Sequence, residues 1–125
     1  MLTEKDLLLD IIGKTPINSI WNISEDSWEQ IPNVFPQLIL SKLDYGWEIT
    51  ITNDNRNELM EIIDYHEIFY KIVHQQIIFE EQIIFESYDN MTGSYIKSNF
   101  PYFKELMDKY SNKDYDFAVM ELLEN

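Results

Sequence analysis

The chain has no cysteine, three glycines and only nine lysines and arginines among 125 residues. Each shortage removes a class of function. Without cysteine there is no disulfide framework, no thiolate nucleophile and no zinc-thiolate site, so the fold must rest on its core and is indifferent to redox compartment. Gly13, Gly46 and Gly93 stand too far apart to build a glycine-rich phosphate loop, and no serine nucleophile elbow is present. Apolar runs such as Leu38-Ile39-Leu40 fall far short of the ~18 residues that span a bilayer. No segment reads as a membrane anchor. Glu4, Asp6 and Asp10 occupy the stretch where a secretory leader needs a basic start and an uninterrupted apolar run, so the expected location is the cytoplasm.

What the chain has in excess is negative charge. Its 23 acidic residues give a formal net charge of -14. Charge of one sign at this density repels nucleic acid and anionic membrane surfaces and attracts a cationic partner over a range set by salt. The chain is not an acidic disordered tail, because 45% of its residues are apolar and 14% aromatic, enough for a packed core. One domain, residues 1–125, is the economical reading of this length.

Along the chain, Thr3 and Asp6 form a capping-box pattern ahead of Leu8, Ile11 and Ile12, which predicts a first helix over Thr3 to Ile12. Ser24 is read as the cap of a short helix through Trp28 and Ile31 stopped by Pro32, and Asn33 as the cap of another that buries Phe35, Leu38 and Ile39 and ends at Gly46. Trp47, Ile49 and Ile51 alternate with Glu48, Thr50 and Thr52, the period of a strand. A helix starting at Asp54 or Asn55 places Leu59, Ile62, Ile63 and His66 on one side and Asp54, Glu58, Glu61 and Tyr65 on the other.

The triplets Ile77-Ile78-Phe79 and Ile83-Ile84-Phe85 would point all round a helix and are read as two strands joined by Glu80-Glu81-Gln82. Asp89 to Gly93 is a turn, and Ser94 to Lys97 a short returning strand. Two closing helices are expected, one after Pro101 with Phe103, Leu106, Met107 and Tyr110 buried, the other from Asp114 to Leu123 burying Tyr115, Val119, Leu122 and Leu123. The expected fold is thus α+β, a single helix-rich domain with a small antiparallel sheet of three to four strands.

No constellation for chemistry stands out. His66 and His74 are the only histidines, and neither has a second histidine at the spacing of a zinc helix, so no metal ligands and no cofactor site are assigned. Asn53-Asp54-Asn55 lacks the glycine and the downstream glutamate of a calcium loop. The expectation is a binder and not an enzyme. Its candidate contact residues are Trp47 and Glu48 on the strand, Asp54, Glu58, Glu61 and Tyr65 on the helix face, and Glu86, Tyr88 and Asp89 on the hairpin, where carboxylates steer a basic partner and aromatic rings anchor it.

The stretch Ile83-Ile84-Phe85-Glu86-Ser87-Tyr88-Asp89-Asn90-Met91, with Ile96-Lys97-Ser98 and the segment Phe103 to Tyr110, resembles the strand, turn, strand and closing helix of small immunity proteins from bacterial polymorphic-toxin and contact-dependent inhibition systems. The likeness covers about the last third of the chain, with Asn90 standing where those proteins more often carry glycine. It implies stoichiometric neutralisation of a cognate protein toxin, without implying one fold or one toxin class. The charge points independently to a basic, nuclease-type toxin domain, since a cleft that handles nucleic acid is basic. The alternative reading is a phage-encoded acidic inhibitor that mimics nucleic acid against a bacterial defence nuclease.

Overall fold

The computed structural model describes residues 1–40, 45–111 and 114–123. Four α-helices and seven strands follow one another as α1 (Glu4–Lys14), β1 (Ile20–Ser24), α2 (Ile31–Val34), β2 (Ile39–Leu40), β3 (Gly46–Thr50), α3 (Arg56–Tyr65), β4 (Gln75–Phe79), β5 (Gln82–Tyr88), β6 (Gly93–Ile96), α4 (Phe103–Tyr110) and β7 (Ala118–Glu121), with a 3₁₀ turn at Ile68–Tyr70 between α3 and β4. All seven strands join one sheet in the order β2-β3-β1-β4-β5-β6-β7. Every pairing is antiparallel except β6 with β7, which is parallel.

The register divides the sheet into two faces. On one, Ile49, Trp21, Ile77, Phe85 and Ile96 lie in a transverse row, and Trp47, Ile23, Gln75, Ser87, Ser94 and Val119 in the next. The helices cover this face. Leu7, Leu8, Ile11 and Ile12 of α1, Leu59 and Ile63 of α3, and Leu106 and Tyr110 of α4 join the strand residues in one buried cluster. Trp21 sits at its centre, edge-on to Phe35 at 5.5 Å and donating its indole N–H to the Gln75 Oε1 at 2.8 Å. The other, more open face carries the row Ile39, Glu48, Asn22, Gln76, Glu86, Tyr95 and Met120, in which Asn22 and Glu48 are buried, while the buried residues of the four α-helices all belong to the core cluster.

The expectation of a helix-rich domain with three to four antiparallel strands is therefore corrected to a two-layer α+β fold with a seven-stranded mixed sheet. Three misread segments account for the difference. Ser24 ends β1 instead of capping a helix: its hydroxyl meets Asp26 and Ser27 and accepts the His74 N–H. Trp21 and Ile23 face the core with period two. Pro32 opens the four-residue α2 where it was expected to stop a helix, and Ile39, expected to be buried in the helix after Asn33, is exposed on edge strand β2; residues 41–44 of that expected helix lie outside the described residues. The segment read as a helix over Asp114 to Leu123 contains β7, in which Val119 is buried while Ala118 and Met120 face out, with Phe117 buried just ahead of it. A four-residue strand at a sheet edge carries too few turns of pattern to separate period two from period 3.6.

Other expectations hold. Thr3 and Asp6 form both halves of the capping box on α1, and β3, α3 and the β4–β5 hairpin stand where the patterns put them, except that the link is Glu80-Glu81 alone and Gln82 opens β5 opposite Phe79. The hairpin register skips Ile84, pairing Ile77 with Phe85 and Ile78 with Ile83. This bulge lets the consecutive Ile84 and Phe85 both be buried.

Candidate partner-binding surfaces

Seven of the nine candidate residues fall on two surfaces, one on each layer. On the helix layer, Asn55 fixes the approach to α3: its side chain accepts the Thr52 N–H at 2.8 Å and donates to the Thr50 carbonyl at 2.8 Å, tying the end of β3 to the first turn. With Leu59 and Ile63 turned inward, Asp54, Glu58, Glu61 and Tyr65 face solvent, Tyr65 with 83% of its surface exposed. A shallow groove runs along Glu58, Glu61, Ile62, Asp64, Tyr65 and His66. Two of its carboxylates already have partners: Gln37 donates to Glu58, and Lys5 pairs with Asp64 at 2.9 Å. At the helix end, Tyr65 meets His66 edge-on at 4.9 Å, and His66 lies 6.4 Å from Trp28, whose ring is covered by the Lys71 ammonium at 4.1 Å.

On the open face of the sheet, Glu86 and Tyr88 project on the same side because they are two residues apart on β5, and Tyr95 pairs directly opposite Glu86. The Tyr88 ring sits between His74 at 5.4 Å and Tyr95 at 6.1 Å, edge-on to both. Partial burial, its hydrogen bond with Glu86 and the nearby Glu86 charge together push the Tyr88 phenol up to about 12. Tyr45 belongs to the same group. Burial raises its phenol as well, a hydrogen bond with Gln76 works against the shift, and the charges of Glu86 and Asp26 add to it. Three phenols and an imidazole thus surround one carboxylate and one amide.

A left-handed turn holds this cluster in place. Asp89, Asn90 and Met91 all have positive φ, at 53°, 58° and 68°. The Asp89 N–H points to His74 Nδ1 at 3.4 Å, and the Asn90 backbone and side-chain amides donate to the carbonyls of Val73 and Tyr70. Asparagine tolerates this conformation better than most residues, so Asn90 serves where the resembled pattern more often has glycine.

Trp47 and Glu48 are separated by the pleat. Trp47 lies in the row on the helix-covered face, and Glu48, although it belongs to the open-face row, retains only 6% exposure and presents no free carboxylate surface. The structure brings Glu86, Tyr88 and Asp89 together and keeps the α3 residues on the opposite layer. Tyr45, His74, Gln76 and Tyr95 were missed. Tyr95 was legible in principle, since pairing back from the Asp89 turn sets it against Glu86.

Among the described residues, no three His, Asp or Glu side chains converge as metal ligands. His66 and His74 stand apart, one at the end of α3 and the other against Tyr88. No described helix is long and apolar enough to cross a membrane. Compared with known proteins, the chain matches no family model, no curated protein and no solved structure.

Proposed function

We propose that this chain is an immunity-type inhibitor, which binds a basic protein toxin in the cytoplasm and occludes its working surface. The observation that carries the reading is the open sheet face, where Tyr88 and Tyr95 flank Glu86 and Tyr45 lies within reach of its charge. Tyrosines that are rigid, half-wet and clustered are the side chains from which interface hot spots are built. The net charge of -14 then speeds encounter with a cationic target, while burial of the rings slows release. The acidic face of α3 adds to that steering field.

The test is co-expression with basic toxin domains, beginning with the C-terminal domain of any toxin-sized reading frame found beside this gene, scored by cell survival and by a 1:1 complex on size exclusion. Survival should be lost when Tyr88 and Tyr95 are both changed to alanine and retained when Glu58 and Glu61 are changed to lysine. Loss with the α3 pair and not with the tyrosines would move the contact surface to α3. Failure of the wild-type chain to protect, or to form the complex, would sink the immunity reading.

A further inference from the structure

We propose that the Glu86 cluster is a seat for one arginine side chain of the partner, a refinement that rests on the binding reading above. Three observations converge on this chemistry. The centre of the cluster is a single carboxylate, Glu86, flanked by Tyr88 on its own strand and Tyr95 opposite. Its walls are ring faces and edges: Tyr88 lies between His74 and Tyr95, with Tyr45 close enough for its phenol to respond to the Glu86 charge. The surrounding charge is mostly negative, with Asp26 and Asp89 nearby, and Lys97 lines with Glu86 a hollow that Glu81, Gln82 and Ile83 also border.

A planar guanidinium satisfies all of these at once. It can take a carboxylate in a two-pronged hydrogen bond, stack on a tyrosine ring and still donate to a phenol oxygen or an amide carbonyl such as that of Gln76. An ammonium can pair with Glu86 but is more strongly hydrated and lacks the flat face. The other lysines in described contacts are already engaged: Lys5 with Asp64, Lys14 and Lys109 with Asp10, and Lys71 over Trp28. None of these contacts involves the three tyrosines. A nucleic-acid or membrane ligand is disfavoured by the same negative field that favours arginine.

The experiment needs no toxin. The isotope-labelled full chain is titrated with acetyl-Gly-Arg-Gly-amide, and with the lysine and citrulline versions of the same peptide, while backbone and ring resonances are followed. The expected result is a saturable shift confined to Glu86, Tyr88, Tyr95 and their neighbours, roughly tenfold weaker with lysine and absent with citrulline. It should disappear in Glu86→Gln and in Tyr88→Leu, two variants whose spectra report independently whether the fold is intact. Equal response to arginine and lysine, shifts centred on Glu58, Glu61 and Tyr65, or a folded Glu86→Gln that binds as wild type does would each overturn the proposal. Because protection of cells is scored separately, a chain that protects but shows no arginine preference loses only this refinement. One that binds arginine here but never protects loses the immunity reading.

Discussion

Tyr110 donates its hydroxyl to Asp10 at 2.5 Å, joining α4 to α1 across 100 residues of chain. The same carboxylate accepts the ammonium of Lys109 at 2.8 Å and that of Lys14 at 3.1 Å. In a chain with nine basic side chains, two converge on one partly buried acid. That concentration has a physical reason. Burial alone would raise the Asp10 carboxyl, but the hydrogen bonds from Lys109, Tyr110 and Lys14 outweigh it and hold the group below its ordinary value of 3.8. Tyr110 moves upward in response, through burial first and then the hydrogen bond and charge of Asp10. The latch fixes the final helix over the core, and with it β7, against which α4 packs.

Asp10→Asn should therefore destabilise the protein by about 1–3 kcal/mol at neutral pH, since the lysines lose their shared negative charge and an NH2 donor replaces one of the two acceptor oxygens. Because the folded pKa is depressed, the contribution is present above 3.8 and is lost as pH falls through the lower folded value. Urea unfolding of wild type and variant at neutral pH and in acid checks this. The gap between them should narrow in acid, and a constant gap would show that packing, not charge, makes the latch.

How much of this was legible depended on the length of each pattern. The α1 capping box, the Trp47 to Ile51 alternation and the two faces of α3 were readable because each spans enough residues for a period to show. β1, β2 and β7 were not, for different reasons. In β1 the serine and acids after Ile23 resemble a helix start, and the same groups close a turn against His74. β2 has two residues. β7 lies beside β6 only because the chain returns after α4, and a parallel neighbour of that kind leaves no mark in local sequence. The candidate site was half visible for a related reason: Glu86, Tyr88 and Asp89 are local to one strand and turn, whereas Tyr45 and His74 arrive from other strand ends through tertiary pairing.

Gly46 is the one glycine whose replacement should be severe. It has φ of +142°, and a Cβ built there would lie 2.4 Å from the Ile23 carbonyl oxygen and 2.5 Å from the Glu25 nitrogen, both backbone atoms. Gly46→Ala should cost at least about 2 kcal/mol, because relief requires shifting β1 against β3. Gly93→Ala, with nothing within 4 Å of its Cβ position, is the control. Comparable thermal midpoints for the two variants would contradict the close approach.

The β4–β5 hairpin should be open to improvement. Its two turn residues, Glu80 and Glu81, both have positive φ, at 51° and 66°, as a two-residue hairpin turn requires, yet neither is a residue that adopts that conformation readily. Replacing the pair by Asn-Gly removes this strain and a like-charge contact, and should stabilise the chain by about 1 kcal/mol or more. A rise in the urea midpoint with unchanged slope is the expected outcome. A fall would mean that the glutamates make contacts that outweigh the turn.

The cluster around Glu86 can be read directly through the Tyr88 phenol. Burial, the Glu86 hydrogen bond and the Glu86 charge push it up to about 12, so in absorbance titration Tyr88 should belong to a late-ionising group together with Tyr45 and Tyr110, whose phenols are raised as well. The protonated phenol is the form the fold favours, which means its contribution is intact below the ordinary value of 10.0 and is lost as pH rises through the folded one. Glu86→Gln removes the negative charge and replaces a charged acceptor by a neutral one, leaving burial as the main upward cause. Its ionisation should then move toward 10.0, and Tyr88→Phe should take one tyrosine out of the late group while Tyr110, which Asp10 pushes the same way, stays in it. A late amplitude unchanged by Tyr88→Phe would show that Tyr88 is not part of it. If Tyr88 ionises as late in Glu86→Gln as in wild type, the carboxylate does not address Tyr88, and the geometry assigned to the cluster is wrong.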